Sequence, residues 1–132
     1  MMKQMISHGI DLVDCRRIEQ LVNRYGNRFL ERIFTDQEQR ASEDYRRRIE
    51  RLSGRFAVKE AVMKLLGTGW GNGLGWLDVE TRNDPLGRPV VTLTGRAQEL
   101  ARQRGIDRVE VSISHTSDYA VATAIALGKE SG

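Results

Sequence analysis

The stretch Ser53 to Leu66 constrains the fold of this chain more than any other. Phe56, Ala57, Val58, Ala61, Val62, Met63, Leu65 and Leu66 point in nearly every direction around a helix axis, so such a helix must be enclosed by other elements. Gly67 follows at once and suits the left-handed turn that closes a helix. The charges within the stretch then need partners. Glu60 and Lys64 share a face one turn apart, beside Phe56 and Ala57, where an unpaired charge is costly to bury. A cation or a phosphate would offset that cost, and an ordinary ion pair between the two side chains would do the same.

The pattern of the whole 132-residue chain supports one domain, 1–132, with a single core. Met5 to Val13 reads as a strand interrupted by Gly9, and Asp14 can cap a helix in which Ile18, Val22, Tyr25 and Phe29 recur opposite Arg17, Arg24 and Arg28. Gly26 breaks or bends it. Thr35-Asp36-Gln37-Glu38 has capping-box spacing and predicts a second, polar helix on the outside. Trp76 to Arg82 and Pro89 to Leu93 read as strands joined by the turn formers Asn83 to Gly87, and Arg96 to Arg104 as a short helix ending at Gly105. Val109, Val111 and Ile113 alternate with polar residues, and after the turn His115 to Asp118 the run Tyr119 to Leu127 is apolar on both faces, which predicts a hairpin with a buried second strand. The expected fold is α+β, with the enclosed helix packed on an antiparallel sheet.

Composition narrows the function classes. No apolar run approaches a membrane span or a signal-peptide core, and the lone Cys15 has neither a disulfide partner nor zinc-type neighbours, so a cytoplasmic chain with no membrane partner is expected. Residues 1–64 carry 14 Lys/Arg against 10 Asp/Glu, whereas the remainder carries 7 against 8. That arginine-rich front half favours acidic protein or nucleotide ligands. A nucleic-acid-binding module would interleave aromatics with those cations in a recognisable order, and Tyr25, Phe29, Phe34, Tyr45 and Phe56 show none.

Three separated stretches together resemble the holo-[acyl-carrier-protein] synthase family of 4′-phosphopantetheinyl transferases: Gly9-Ile10-Asp11-Leu12-Val13; Arg55-Phe56-Ala57-Val58-Lys59-Glu60-Ala61 running into Lys64 and Gly67-Thr68-Gly69; and Ser112-Ile113-Ser114-His115-Thr116. Phe34-Thr35 with Glu38, and the Gly87-Arg88-Pro89 turn, fall in the matching order. The resemblance implies the phosphopantetheinyl transferase fold and a reaction in which a serine of apo acyl carrier protein attacks the β-phosphate of coenzyme A, expelling adenosine 3′,5′-bisphosphate, in support of fatty acid biosynthesis. It implies Mg2+ held by Asp11 and Glu60, with Lys64 at the phosphates and catalysis by Glu60, Lys64 and Asp11. Arg55, Lys64, Gly67, Thr68, Gly69, Pro89, Ser114, His115 and Thr116 correspond to coenzyme contacts. Arg17, Leu21, Arg24 and Arg28 correspond to the docking face for the carrier protein, and a single-lobe chain of this kind implies a homotrimer with sites at the subunit junctions.

Plainer roles stand beside these. Asp11 could cap a turn at a strand end, His115 could be a local turn residue, and the arginine face could be merely solvated. The base that takes the serine proton is left open between a metal-bound water and Glu60. The chain also departs from the family pattern: Ser7-His8-Gly9 stands where an earlier glycine is usual, and Asp14 where glutamate is common. A catalytically inactive carrier-protein-binding partner, or a nucleic-acid-binding module, is the alternative.

Overall fold

A computed structural model describes residues 4–43, 47–67 and 73–129. Strand β1 (Gln4–Asp14) leads into helices α1 (Cys15–Tyr25), α2 (Asn27–Ile33), α3 (Asp36–Ala41) and α4 (Arg48–Leu66). A 3-10 turn at Trp76–Asp78 precedes β2 (Val79–Asn83) and β3 (Pro89–Leu93), followed by α5 (Gly95–Gln103), β4 (Ile106–His115) and β5 (Tyr119–Gly128). One antiparallel sheet has the order β1-β5-β4, and β2 pairs with β3 as a separate hairpin. The α+β architecture is the one expected.

Local chemistry sets most boundaries. The Asp14 carboxylate accepts from the Arg16 backbone amide at the start of α1, and Gly26, at φ 56°, separates α1 from α2. Thr35 and Glu38 form the capping box in full. Two boundaries differ from expectation. Helix α4 starts at Arg48 rather than Ser53, because its first turns carry arginines and Glu50 at the rim of the core, where no apolar pattern marks them. Trp76–Asp78 is a turn rather than the beginning of a strand, since Asp78 Oδ2 accepts from the Gly75 amide and holds the chain in a local bend.

Helix α4 lies across β1 and β5, and small residues make this crossing close. Ala57 and Ala61 on the helix, and Ala120, Ala122, Ala124 and Ala126 on β5, are all fully buried. A Cβ placed on Gly9 would come within 2.0 Å of the Ala61 carbonyl oxygen, so β1 passes the helix backbone to backbone. That contact explains the glycine inside an otherwise regular strand. Leu52, Val58, Val62, Leu65 and Leu66 on the other sides of α4 are buried as well, so the helix is enclosed as its sequence required.

Two expectations are corrected. Strand β5 is central in its sheet but buried on one face only: its alanines face α4, whereas Tyr119 and Ile125 on the other face are 46% and 39% exposed. Its mean apolarity could not reveal that one face would be left uncovered. Helix α3 is polar, yet it is anchored inward, because Glu38 is fully buried. Its carboxylate meets Lys59 Nζ at 2.8 Å and accepts from the backbone amides of Thr35 and Thr81.

Candidate active site

Position in the sheet decides where Asp11 points. Asp11 pairs with Ala122, which pairs in turn with Ile113, so the three share a row and a face. That face is the one α4 covers, and it brings Asp11 to the helix. Lys64 Nζ lies 3.0 Å from Asp11 Oδ1 and 3.0 Å from the Ile10 carbonyl oxygen. The Asp11 side chain is 16% exposed and that of Lys64 50%, so the pair is open to solvent on the lysine side. Ser7 Oγ donates to the Leu65 carbonyl at 2.8 Å and pins the same seam. Asp11 is inside β1, and the capping role falls to Asp14.

Glu60 is half-buried and stands one turn before Lys64 on the same side of α4, about 6 Å along the axis. Two carboxylates and an ammonium thus gather along one seam. Among the described residues no cluster of three or more His, Cys, Asp or Glu could cage a metal. A pair of carboxylates beside open space fits magnesium, which takes one or two protein carboxylates and completes its shell with water and substrate phosphate. In this structure the cation that Asp11 meets is the Lys64 ammonium.

The turn before Glu60 is tied to α1. Arg17 lies over the Phe56 ring at 5.7 Å, and Phe56 stacks on Trp76 with centroids 5.1 Å apart. Arg17, Arg24 and Arg28 are exposed and Leu21 is half-buried. Through Arg17 this cationic surface adjoins the helix that carries Glu60. Arg55, on the neighbouring position, is only 5% exposed. Burial holds its guanidinium below the ordinary arginine value, with the charge of Glu38 acting in the opposite direction. Its Nε has no hydrogen-bond partner among the described residues.

The third stretch is split by strand alternation. His115 shares the α4 face with Ile113, whereas Ser114 points the other way with Leu12 and Val121. His115 Nδ1 lies 3.1 Å from Glu50 Oε2. Thr116 Oγ1 accepts from the amides of Asp118 and Tyr119, building the turn into β5. By sheet geometry His115 is about 12 Å from Asp11, two strands across and two residues along. His8 pairs with Ile125 and lies on the face opposite to Asp11.

Gly67 takes the left-handed conformation, φ 77°, and ends α4 as expected; Thr68 and Gly69 lie outside the described residues. Pro89 opens β3, and it borders a cleft of about 730 Å3 between β3, α5 and β4. Asp11, Glu60 and Lys64 do not line that cleft. The chemistry is assigned by the side chains, and the larger cleft is a separate feature of the surface.

Sequence reasoning gave no role to Lys59 or Glu50 and read Glu38 only as a capping-box residue. Lys59 stands fully buried among apolar residues, bonded to Glu38 and to the carbonyl oxygens of Trp76, at 2.9 Å, and Val79. Burial holds its ammonium below the ordinary lysine value, with the Glu38 carboxylate acting in the opposite direction. The signal was present: a lysine in a helix enclosed on every side demands a buried counter-charge, and a capping-box glutamate is a carboxylate of fixed direction.

Comparison with known proteins identifies the family and the fold. The family model described as the 4′-phosphopantetheinyl transferase superfamily matches residues 7–124. A holo-[acyl-carrier-protein] synthase of Desulforudis audaxviator is 49% identical over 120 residues, covering 91% of each chain. One from Koribacter versatilis is 43% identical over 121 residues, covering 92% of this chain and 97% of its own. Among solved structures, the holo-[acyl-carrier-protein] synthase of Helicobacter pylori in complex with coenzyme A superposes with TM-score 0.80 at 34% identity, covering 90% of this chain and 98% of that one. The synthase of Plasmodium yoelii superposes with TM-score 0.83 at 28% identity, covering 98% and 100%. The chain belongs to the 4′-phosphopantetheinyl transferase superfamily and, within it, groups with the holo-[acyl-carrier-protein] synthases.

Proposed function

We propose that this chain moves the 4′-phosphopantetheine arm of coenzyme A onto a serine of apo acyl carrier protein, using the seam between β1 and α4 as its catalytic centre. The observation that carries the assignment is the meeting of Asp11 and Lys64 across that seam, one turn from Glu60, in a chain that belongs to this family. In the reaction the serine oxygen forms a bond to the β-phosphorus of coenzyme A. The bond from that phosphorus to adenosine 3′,5′-bisphosphate breaks, and the serine gives up its proton. Asp11 and Glu60 would hold Mg2+, which supplies positive charge to the pyrophosphate oxygens.

The chain's own side chains do the rest. Lys64, held by Asp11 and the Ile10 carbonyl, presents an ammonium to the phosphates and can neutralise or protonate the departing group. Glu60 is a carboxylate within one helical turn and can accept the serine proton. Gly67, at the end of α4, would let the backbone approach the coenzyme's phosphates, and Thr68 and Gly69 are assigned to the same contact. Arg55, Pro89, Ser114, His115 and Thr116 supply further contacts to the nucleotide.

The exposed cations Arg17, Arg24 and Arg28, with Leu21 among them, form the docking face for an acidic carrier protein. A homotrimer is supported by the uncovered face of the sheet, where Met5, Ile10, Leu12, Tyr119 and Ile125 are 55%, 56%, 66%, 46% and 39% exposed. A contiguous apolar face of this kind marks an interaction surface. A second copy covering it would bring one subunit's Ser114, on that same face, toward its neighbour. The activity serves fatty acid biosynthesis in the cytoplasm. Among the described residues no helix is long and apolar enough to cross a membrane.

The test is direct. The chain is incubated with coenzyme A, magnesium and apo acyl carrier protein, and the carrier is weighed by mass spectrometry. Gain of one phosphopantetheine group is expected, and a carrier of unchanged mass would end the proposal. Light scattering of the same active sample should give three times the chain mass; a fully active monomer would reject the trimer. The inactive-partner and nucleic-acid readings draw no support from relatives that are named as synthases.

A further inference from the structure

Arg104 reaches from the end of one helix to the end of another. Its backbone is fixed where α5 closes: its amide donates to the Leu100 and Ala101 carbonyl oxygens at 3.2 Å each. Gly105 follows at φ 72°, and its carbonyl accepts from the Lys129 amide at 3.1 Å. The side chain crosses to Gly67, the left-handed residue that ends α4. A Cβ placed on Gly67 would lie 2.8 Å from Arg104 Nη1, 3.0 Å from Nη2 and 3.3 Å from Cζ. The guanidinium thus rests against the backbone on the side where any other residue carries a side chain. Gly67 serves twice, by permitting the turn and by making room for the arginine.

The helix end does not need this cation as a cap. The Gly67 amide already donates to the Met63 and Lys64 carbonyl oxygens, at 3.2 and 3.0 Å, and Ser7 Oγ donates to that of Leu65. Nor does a carboxylate hold it. Arg16, Arg88, Arg96 and Arg108 each pair with one, whereas among the described residues none meets Arg104. An exposed guanidinium set against backbone, without a counter-charge from the fold, suits a ligand that brings its own. It offers only donors, in a planar fork that fits two oxygens of one phosphate.

Lys64 stands one turn before Gly67, with its side chain half exposed beside Asp11. A phosphate approaching the Gly67 backbone also meets the last carbonyls of α4, the negative end of the helix, so that position becomes favourable only with cations beside it. We infer that Arg104 is a further coenzyme-binding residue: with Lys64 it supplies positive charge at the end of α4, and its fork takes the pyrophosphate oxygens of coenzyme A. The inference rests on the reading of Lys64 and Gly67 as coenzyme contacts and adds a cation supplied by α5.

The test compares the unaltered chain with Arg104→Ala and Arg104→Lys, reading coenzyme A affinity by calorimetry, KM for each substrate by steady-state kinetics, and unfolding in denaturant. Arg104→Ala should weaken coenzyme A about tenfold, the scale of one charge-assisted hydrogen bond. KM for the carrier protein should stay within about twofold, and the unfolding midpoint should remain close to that of the unaltered chain. Arg104→Lys keeps the charge without the fork and should recover part of the loss. Dephospho-coenzyme A lacks the 3′-phosphate but retains the pyrophosphate, so it should show the same penalty.

An arginine that only steadies the end of α4 gives the opposite result: Arg104→Ala then unfolds at lower denaturant and binds coenzyme A unchanged, which would overturn the inference. A penalty that vanishes with dephospho-coenzyme A would overturn it too, by moving Arg104 to the 3′-phosphate. An unaltered chain that binds no coenzyme A would sink the proposed activity and this inference together, whereas normal binding without transfer would sink the activity alone.

Discussion

Helix α4 carries two lysines five positions apart, and each meets a carboxylate from another element. Lys59 and Glu38 are both fully buried, and the ammonium is bonded to oxygens of the fold itself. Lys64 and Asp11 are 50% and 16% exposed, and the ammonium leans out from the seam. The closed pair has its hydrogen bonds supplied from within, so a ligand has no way to enter it; its work is to bind α3, β2 and the turn at Trp76 to the central helix. The open pair can exchange partners with a phosphate or a metal ion. Identical chemistry thus serves structure at one position and reaction at the other, and solvent access separates the two.

The largest effect should come from breaking the closed pair. Lys59→Ala leaves the Glu38 carboxylate buried without its counter-charge and should cost about 3–5 kcal/mol, read by denaturant unfolding. Combining Lys59→Met with Glu38→Leu should recover only part of that loss. The double change removes the stranded charge, but the amides of Thr35 and Thr81 then lose their acceptor.

The open pair should respond in the opposite currency. Asp11→Asn or Lys64→Ala should change stability by no more than about 1 kcal/mol, as expected for a partly exposed pair. Turnover should nevertheless fall about a hundredfold or more, the scale of losing a group that stabilises charge in the transition state. A Lys64→Ala chain that turns over normally would remove the distinction between the two pairs. Chelation of divalent metal should likewise abolish transfer without unfolding the chain.

Arg17 sharpens the comparison at the next level down, because it sits over Phe56 on the helix that carries both lysines. Arg17→Glu should raise KM for the carrier protein about tenfold at low salt and less at high salt, with little change for coenzyme A. Equal losses for both substrates would place Arg17 in the site itself.

The smallest effect concerns a third pair, Glu80 with Arg82, 2.7 Å apart. Burial would raise the Glu80 carboxyl, but hydrogen bonds from Arg82 and Thr35 hold it below its ordinary 4.5. A lowered carboxylate contributes stability that is fully present above 4.5 and is lost as pH falls through the folded value. Glu80→Gln should therefore make acid denaturation slightly less steep, and leave stability at neutral pH close to that of Arg82→Ala.

Caps and spacing foretold several pieces of this molecule. Asp14, the Thr35–Glu38 box and the Gly67 closure depend on hydrogen bonds within a few residues, so the residues that make them are neighbours along the chain. The enclosure of α4 was legible for a similar reason, since a helix apolar on every side has no stable position except inside. Asp11 and Glu60 could be singled out only through the ordered family motifs, because nothing local tells a metal carboxylate from a surface one. The partners of the lysines were out of reach: Glu38 is 21 positions from Lys59, and Asp11 is 53 from Lys64.

Amino-acid order alone determined which segments could be helix or strand and that the central helix would be surrounded. Tertiary structure decided which lysine faces the interior, which side of β5 remains uncovered, and that Glu50 meets His115. Those outcomes turn on sheet register and on the backbone contact at Gly9, where one residue of slip would reverse every side chain of β1 and carry Asp11 to the opposite face.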